Sequence, residues 1–157
     1  MDRNMNVALA AAMAAIFALG GVALPATAQA QTIEEGKCQR APGVNYPGPY
    51  YAHFDTGKST LRPADKAEVK KAALQSKQLF VTRICLVGAA DKVGDAAKNK
   101  KLAKARANAV AKEMIANGVQ AKHLLIDASD EAFGKWSFGS KNENQEQDRR
   151  VTIIFAK

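Results

Sequence analysis

The chain has 157 residues, with 23 Lys and Arg against 15 Asp and Glu, a formal charge of +8 and two cysteines. Neither a nucleophile–base pair, a phosphate-cradling loop nor a His/Cys/Asp/Glu set at metal-ligand spacing is evident, which argues against an enzyme and against a bound metal or cofactor. His53 and His123 stand isolated.

Val7 to Leu24 is almost wholly Ala, Val, Leu, Ile, Phe and Gly, followed by Pro25 and then Ala28-Gln29-Ala30. A charged start, an apolar middle and an A-x-A site predict a secretory signal peptide over residues 1–30, cleaved after Ala30 or, alternatively, after Ala28. The other reading is a retained anchor. Spanning a bilayer takes about 20 apolar residues, and this Ala-rich run with Gly20-Gly21 falls slightly short. No cysteine follows the run, which argues against a lipid-anchored chain. The remaining ~127 residues suit one domain with one core. A basic exported domain is drawn to anionic partners such as cell-wall polymer, lipopolysaccharide or acidic lipid, whereas export argues against nucleic acid.

Residues 31–49 carry Gly36, Pro42, Gly43, Pro47, Gly48 and Pro49 and are expected to be an irregular segment. Tyr50 to Asp55 reads as a short strand and 56–59 as a turn. Leu61-Arg62-Pro63 then opens a helix, with proline at an early position where its missing N–H costs nothing. Val69, Ala72, Ala73, Leu74 and Leu79 are its expected apolar side. Leu79 to Val87 is the most continuous β-type run and reads as a buried strand. The longest helix is expected from Asp95 to Asn117, stopped by Gly118, with a buried stripe of Leu102, Ala103, Ala107, Val110 and Met114. A third strand is expected over 123–128, a polar loop over 129–147 containing Phe133, Trp136 and Phe138, and a closing strand over 151–155. The order β-α-β-α-β-β predicts an α/β sandwich: a mixed four-stranded sheet with two helices on one face.

Cys38 lies in the irregular segment and Cys85 in the strand run, out of phase with Ile84 and so expected on the face away from the helices. In an oxidising compartment such a pair is expected to be bridged, stapling the N-terminal segment across the open sheet face; the alternative is two free thiols.

The densest chemistry lies between Gly88 and Ala107. Asp91 follows a strand end, and Arg106 lies fifteen residues later in the long helix. An acid and an arginine so placed can clamp a small zwitterion, the carboxylate taking an ammonium and the guanidinium fork a carboxylate. Taken singly, Asp91 reads equally as a turn cap and Arg106 as a solvated helix residue.

With these elements placed, residues 54–155 resemble an OmpA-like peptidoglycan-binding domain. Phe54-Asp55 and Leu61-Arg62-Pro63 are similar to that family's opening strand and Leu-x-Pro helix start. Gly88-Ala89-Ala90-Asp91 stands where the family has Gly-His-Thr-Asp. Val93-Gly94, Asn99, Leu102, Arg106-Ala107 and Gly118-Val119 follow in order, and Asp148-Arg149-Arg150-Val151 resembles Asn-Arg-Arg-Val. The resemblance implies a non-catalytic envelope domain over 50–157 that binds the diaminopimelate of peptidoglycan stem peptides. It implies Asp91 and Arg106 as primary ligands and Asn99 in support. Arg149 and Arg150 read as structural, one of them bracing the loop or a neighbouring carboxylate, with a supporting contact to the ligand as the other reading. Several positions depart from the family: Ala89 and Ala90 for His and Thr, Lys98 for Tyr, Gln145 for Arg, Asp148 for Asn, and no Gly-x-Gly-Glu in the 129–147 loop. The alternative is a degenerate member acting as a protein–protein adaptor through Phe133, Trp136 and Phe138.

Overall fold

In the computed structural model of the protein, the described residues are 32–38, 45–89, 95–128 and 148–156. Strands β1 (Glu34–Glu35), β2 (Tyr50–His53), β3 (Arg83–Gly88), β4 (Leu124–Asp127) and β5 (Arg150–Ala156) form one sheet in the order β1-β4-β3-β5-β2. Helices α1 (Pro63–Gln78) and α2 (Ala96–Ala116) pack on one face. β1, β4 and β3 run parallel, while β5 is antiparallel to both β3 and β2. The fold class is therefore as expected, with one correction: the sheet has five strands, not four.

The added strand comes from the segment expected to be irregular. Glu34 and Glu35 are exposed and have low strand propensity, so the local sequence does not specify β1; their carboxylates pair with Arg83 at 3.4 Å and Lys104 at 2.8 Å. Its backbone pairs with Leu125 and Ile126, and Gly36 N–H continues the ladder to the Ile126 carbonyl at 3.0 Å. Just beyond, Cys38 and Cys85 form a disulfide with a Cα–Cα separation of 5.7 Å, within the usual range. The Cys38 N–H also donates to the Asp127 carboxylate at 2.9 Å.

Alternation along β3 sorts the two faces. Ile84 and Leu86 join the helix-side core with Val69, Val110, Met114, Leu124, Ile153 and Phe155. Cys85 and Val87 face the other way with Leu125, Ile154 and Ala156, where Cys38 covers them. Gly88 ends β3 where α2 crosses closest. A Cβ there would lie 2.4 Å from the Ala103 carbonyl oxygen, so only glycine admits the helix at this distance.

The helix boundaries follow local chemistry. Asp95 caps α2, its carboxylate accepting from Lys98 N–H at 2.7 Å. Arg62 at the start of α1 makes no side-chain cap bond, and Pro63 occupies the first turn. There the buried Asp65 accepts from His53 N–H at 2.8 Å and from Arg62 Nε at 2.6 Å, tying the end of β2 to the start of α1. Burial pushes the Asp65 carboxyl up, but the hydrogen bonds from Arg62 and His53 and their positive charge outweigh it, leaving it below its ordinary value of 3.8.

Both helices end in a Schellman motif. In α2, Val119 N–H bonds the Met114 carbonyl and Gly118 N–H the Ile115 carbonyl, with Gly118 at φ +88°. In α1, Val81 N–H bonds the Ser76 carbonyl and Phe80 N–H the Lys77 carbonyl, with Phe80 at φ +51° in the position that Gly118 fills in α2. A side chain in this left-handed region costs about 1–2 kcal/mol. Two expectations are corrected here. The run from Leu79 is not strand until Arg83, because 79–82 complete the helix end, and Leu74 and Leu79 are largely exposed rather than apolar packing for α1. Asp65 and Ser76 take buried positions on α1 instead.

Candidate functional site

Arg106 lies in the buried stripe of α2, between Ala103 and Ala107 on one side and Val110 on the other. It is fully buried, which overturns the reading of a solvated helix residue, while Leu102 is only partly covered. Its fork is aimed by three carbonyls: Nε donates to Lys58 at 2.9 Å, Nη1 to Ala89 at 3.0 Å and Nη2 to Asp55 at 3.1 Å. The Phe54 ring lies beside the guanidinium, 5.4 Å from centroid to Cζ. One side chain thus joins α2 to the β2–α1 loop and to the exit of β3. Gly88 makes this reach practicable by letting α2 approach.

The neighbouring backbone is knitted to the start of β5. Ala89 N–H donates to the Arg150 carbonyl at 2.9 Å and Phe54 N–H to the Arg149 carbonyl at 2.8 Å. Arg149 Nε returns a long bond to the Phe54 carbonyl at 3.4 Å, and Arg150 lies 4.9 Å from the Tyr51 ring centroid. Asp55 and Lys58, which sequence reading did not single out as site residues, turn their carbonyls to Arg106 and their side chains outward as an exposed ion pair at 3.2 Å. No side-chain pattern could mark them, because the acceptors are main-chain atoms. Asn99 sits one turn into α2, its N–H on the Asp95 carbonyl at 3.0 Å.

Asp91 lies outside the described residues, as do Ala90, Phe133, Trp136, Phe138 and Gln145. Among the described residues, no group of three or more His, Cys, Asp or Glu side chains is arranged to hold a metal ion. No helix among them is long and apolar enough to cross a membrane.

This architecture, an α/β sandwich with a buried arginine clasping main-chain carbonyls at the exit of a central strand, has counterparts. The OmpA family profile matches residues 53–152, and the chain belongs to the OmpA family. It is 29% identical over 103 residues to "Probable lipoprotein YiaD" of Escherichia coli K12, covering 66% of this chain and 47% of that protein. The chain spans about half the length of the curated relatives it matches. Among solved structures it resembles the OmpA-like domain of FopA1 from Francisella tularensis, with a TM-score of 0.57, 20% identity, and coverage of 68% of this chain and 70% of that one. The peptidoglycan-associated lipoprotein of Burkholderia pseudomallei gives a TM-score of 0.56 at 20% identity, covering 68% of this chain and 89% of that one. At such identity these two likenesses concern the fold.

Proposed function

We propose that this chain is a non-catalytic, exported cell-envelope module that binds peptidoglycan. In this reading the signal peptide of residues 1–30 is removed, and the OmpA-like domain of residues 50–157 works in the periplasm. Asp91 and Arg106 would take the ammonium and carboxylate borne by one carbon of diaminopimelate, with Asn99 beside them. The observation that carries the proposal is the bond from Arg106 to the Ala89 carbonyl. It sets the guanidinium at the start of the segment that contains Asp91, in a chain of the OmpA family. Charge-assisted contacts contribute about 1.5–3 kcal/mol each, so one stem peptide binds modestly. Retention then comes from many copies on a repeating polymer, helped by the +8 charge.

The full burial of Arg106 shapes both mechanism and test. A ligand carboxylate reaches the guanidinium only if the atoms covering it give way. Replacing Arg106 also removes three supports of the fold, so loss of binding in an arginine variant is ambiguous. Asp91→Ala is the cleaner probe. The mature chain and this variant are sedimented with purified diaminopimelate-type sacculi at physiological salt, and both are melted. Expected is sedimentation of the native chain and a soluble variant of equal Tm. Equal sedimentation of both, with release of both by salt, would mean lysine charge on an anionic polymer and no clamp.

A further inference from the structure

The two matched helix ends differ at one residue. Gly118 occupies its left-handed position with no side chain to strain, whereas Phe80 carries an aromatic ring there, and that ring is 86% exposed. No packing of the ring offsets the backbone strain, and glycine would close the motif equally well. Strain held without structural return marks a residue kept for something outside the fold. Leu79 beside it is 40% exposed and Leu74, one turn earlier, 44%; these three are the exposed large hydrophobics among the described residues.

The surroundings are basic. Lys77 in the last turn of α1 reaches the Asn117 carbonyl at 3.2 Å, bringing both helix ends to one pole of the domain. Phe80 and Lys77 share a shallow depression with Gly118, Gln120 and His123, and Lys122 is exposed alongside. The nearby carboxylates are engaged: Glu34 with Arg83 at 3.4 Å, and Glu113 with the Asn117 side chain at 3.1 Å. This pole precedes β3, whereas Ala89 and Arg106 lie past its other end, so the surface is separate from the candidate site. Thr32 lies with Gln120, Ala121 and Lys122 at this same pole.

We infer that this pole docks on an anionic phospholipid bilayer. Phe80 and Leu79 enter the boundary between headgroups and acyl chains, while Lys77 and Lys122 meet the phosphates. A projecting aromatic beside a leucine and flanked by lysines has the make-up of an interfacial anchor. The attraction of lysine to an anionic surface supplies the rest.

The test uses the mature chain with sedimenting vesicles of phosphatidylglycerol and phosphatidylethanolamine, and with phosphatidylcholine vesicles beside them. Phe80→Gly is the decisive variant because it relieves the backbone, so its Tm should equal or exceed the parent's. The native chain is expected to bind the anionic vesicles and not the phosphatidylcholine ones. Phe80→Gly is expected to lose about tenfold in partitioning, and Lys77→Gln/Lys122→Gln about as much again. Unchanged binding by Phe80→Gly would reduce the interaction to diffuse charge and overturn the proposal. So would equal binding to phosphatidylcholine, or no vesicle binding by the native chain, which would leave Phe80 as a contact for protein.

Discussion

Arg106→Ala should be among the most damaging substitutions in the domain, for reasons separate from any ligand. The guanidinium donates to the carbonyls of Asp55, Lys58 and Ala89 and is fully buried. Bonds from a charged donor contribute about 1.5–3 kcal/mol each, and the lower figure applies because the Asp55 and Lys58 segments border solvent. Three such bonds total about 4.5 kcal/mol, and the buried aliphatic stem adds about 2 kcal/mol. Against this stands the cost of taking the guanidinium out of water, several kcal/mol, which the variant no longer bears. The balance is a loss of about 3 kcal/mol, or about 10 °C in Tm for a domain of this size. Arg106→Lys should recover less than half, because one ammonium cannot meet three acceptors spread around a planar fork. Urea denaturation and thermal melting by circular dichroism measure both. If Arg106→Ala melts within about 3 °C of the parent, the three-carbonyl clasp does not hold the fold, and burial of this arginine has another explanation.

Two further outcomes follow from contacts elsewhere. Asp65 has a lowered pKa in the folded state, so the unfolded chain binds more protons and stability falls as pH drops below about 4. Its contribution is complete above the unfolded value and is lost through the folded one. Asp65→Asn should cost about 2 kcal/mol at neutral pH while flattening that acid limb in denaturant titrations from pH 2 to 7; an unchanged limb would discount Asp65. The Cys38–Cys85 disulfide closes 47 residues of chain, so Cys38→Ala/Cys85→Ala, or reductant, should lower stability by about 2–4 kcal/mol. Amide exchange in β1 should rise with it, and an unaltered β1 would show that its two backbone pairings suffice.

What the sequence discloses depends on whether side chains or main chain carry the interaction. The α2 stripe of Ala103, Ala107, Val110 and Met114 recurs at spacings of three and four and lies buried in the structure. Strand alternation likewise set Cys85 on the face away from the helices, where Cys38 meets it. β1 escapes sequence reading because two glutamates have no strand signature, and what holds them is distant in sequence: backbone pairing to β4, ion pairs to Arg83 and Lys104, and the neighbouring disulfide. Leu79 and Phe80 looked like strand because a helix stop usually shows glycine, and here an aromatic fills the left-handed position. Arg106 draws attention in the sequence through its spacing to Asp91. Its burial is not legible there, because its acceptors are three carbonyls whose residue types give no clue.

The place of β5 bears on how the molecule is assembled. Among the described residues, β5 lies between β3 and β2 and links the two halves of the sheet. Until residues 150–156 are available, β1, β4 and β3 can form one parallel ribbon, but β2 has no strand to join. Completion of the sheet therefore waits for β5. This dependence makes the seven-residue β5 the keystone of the domain.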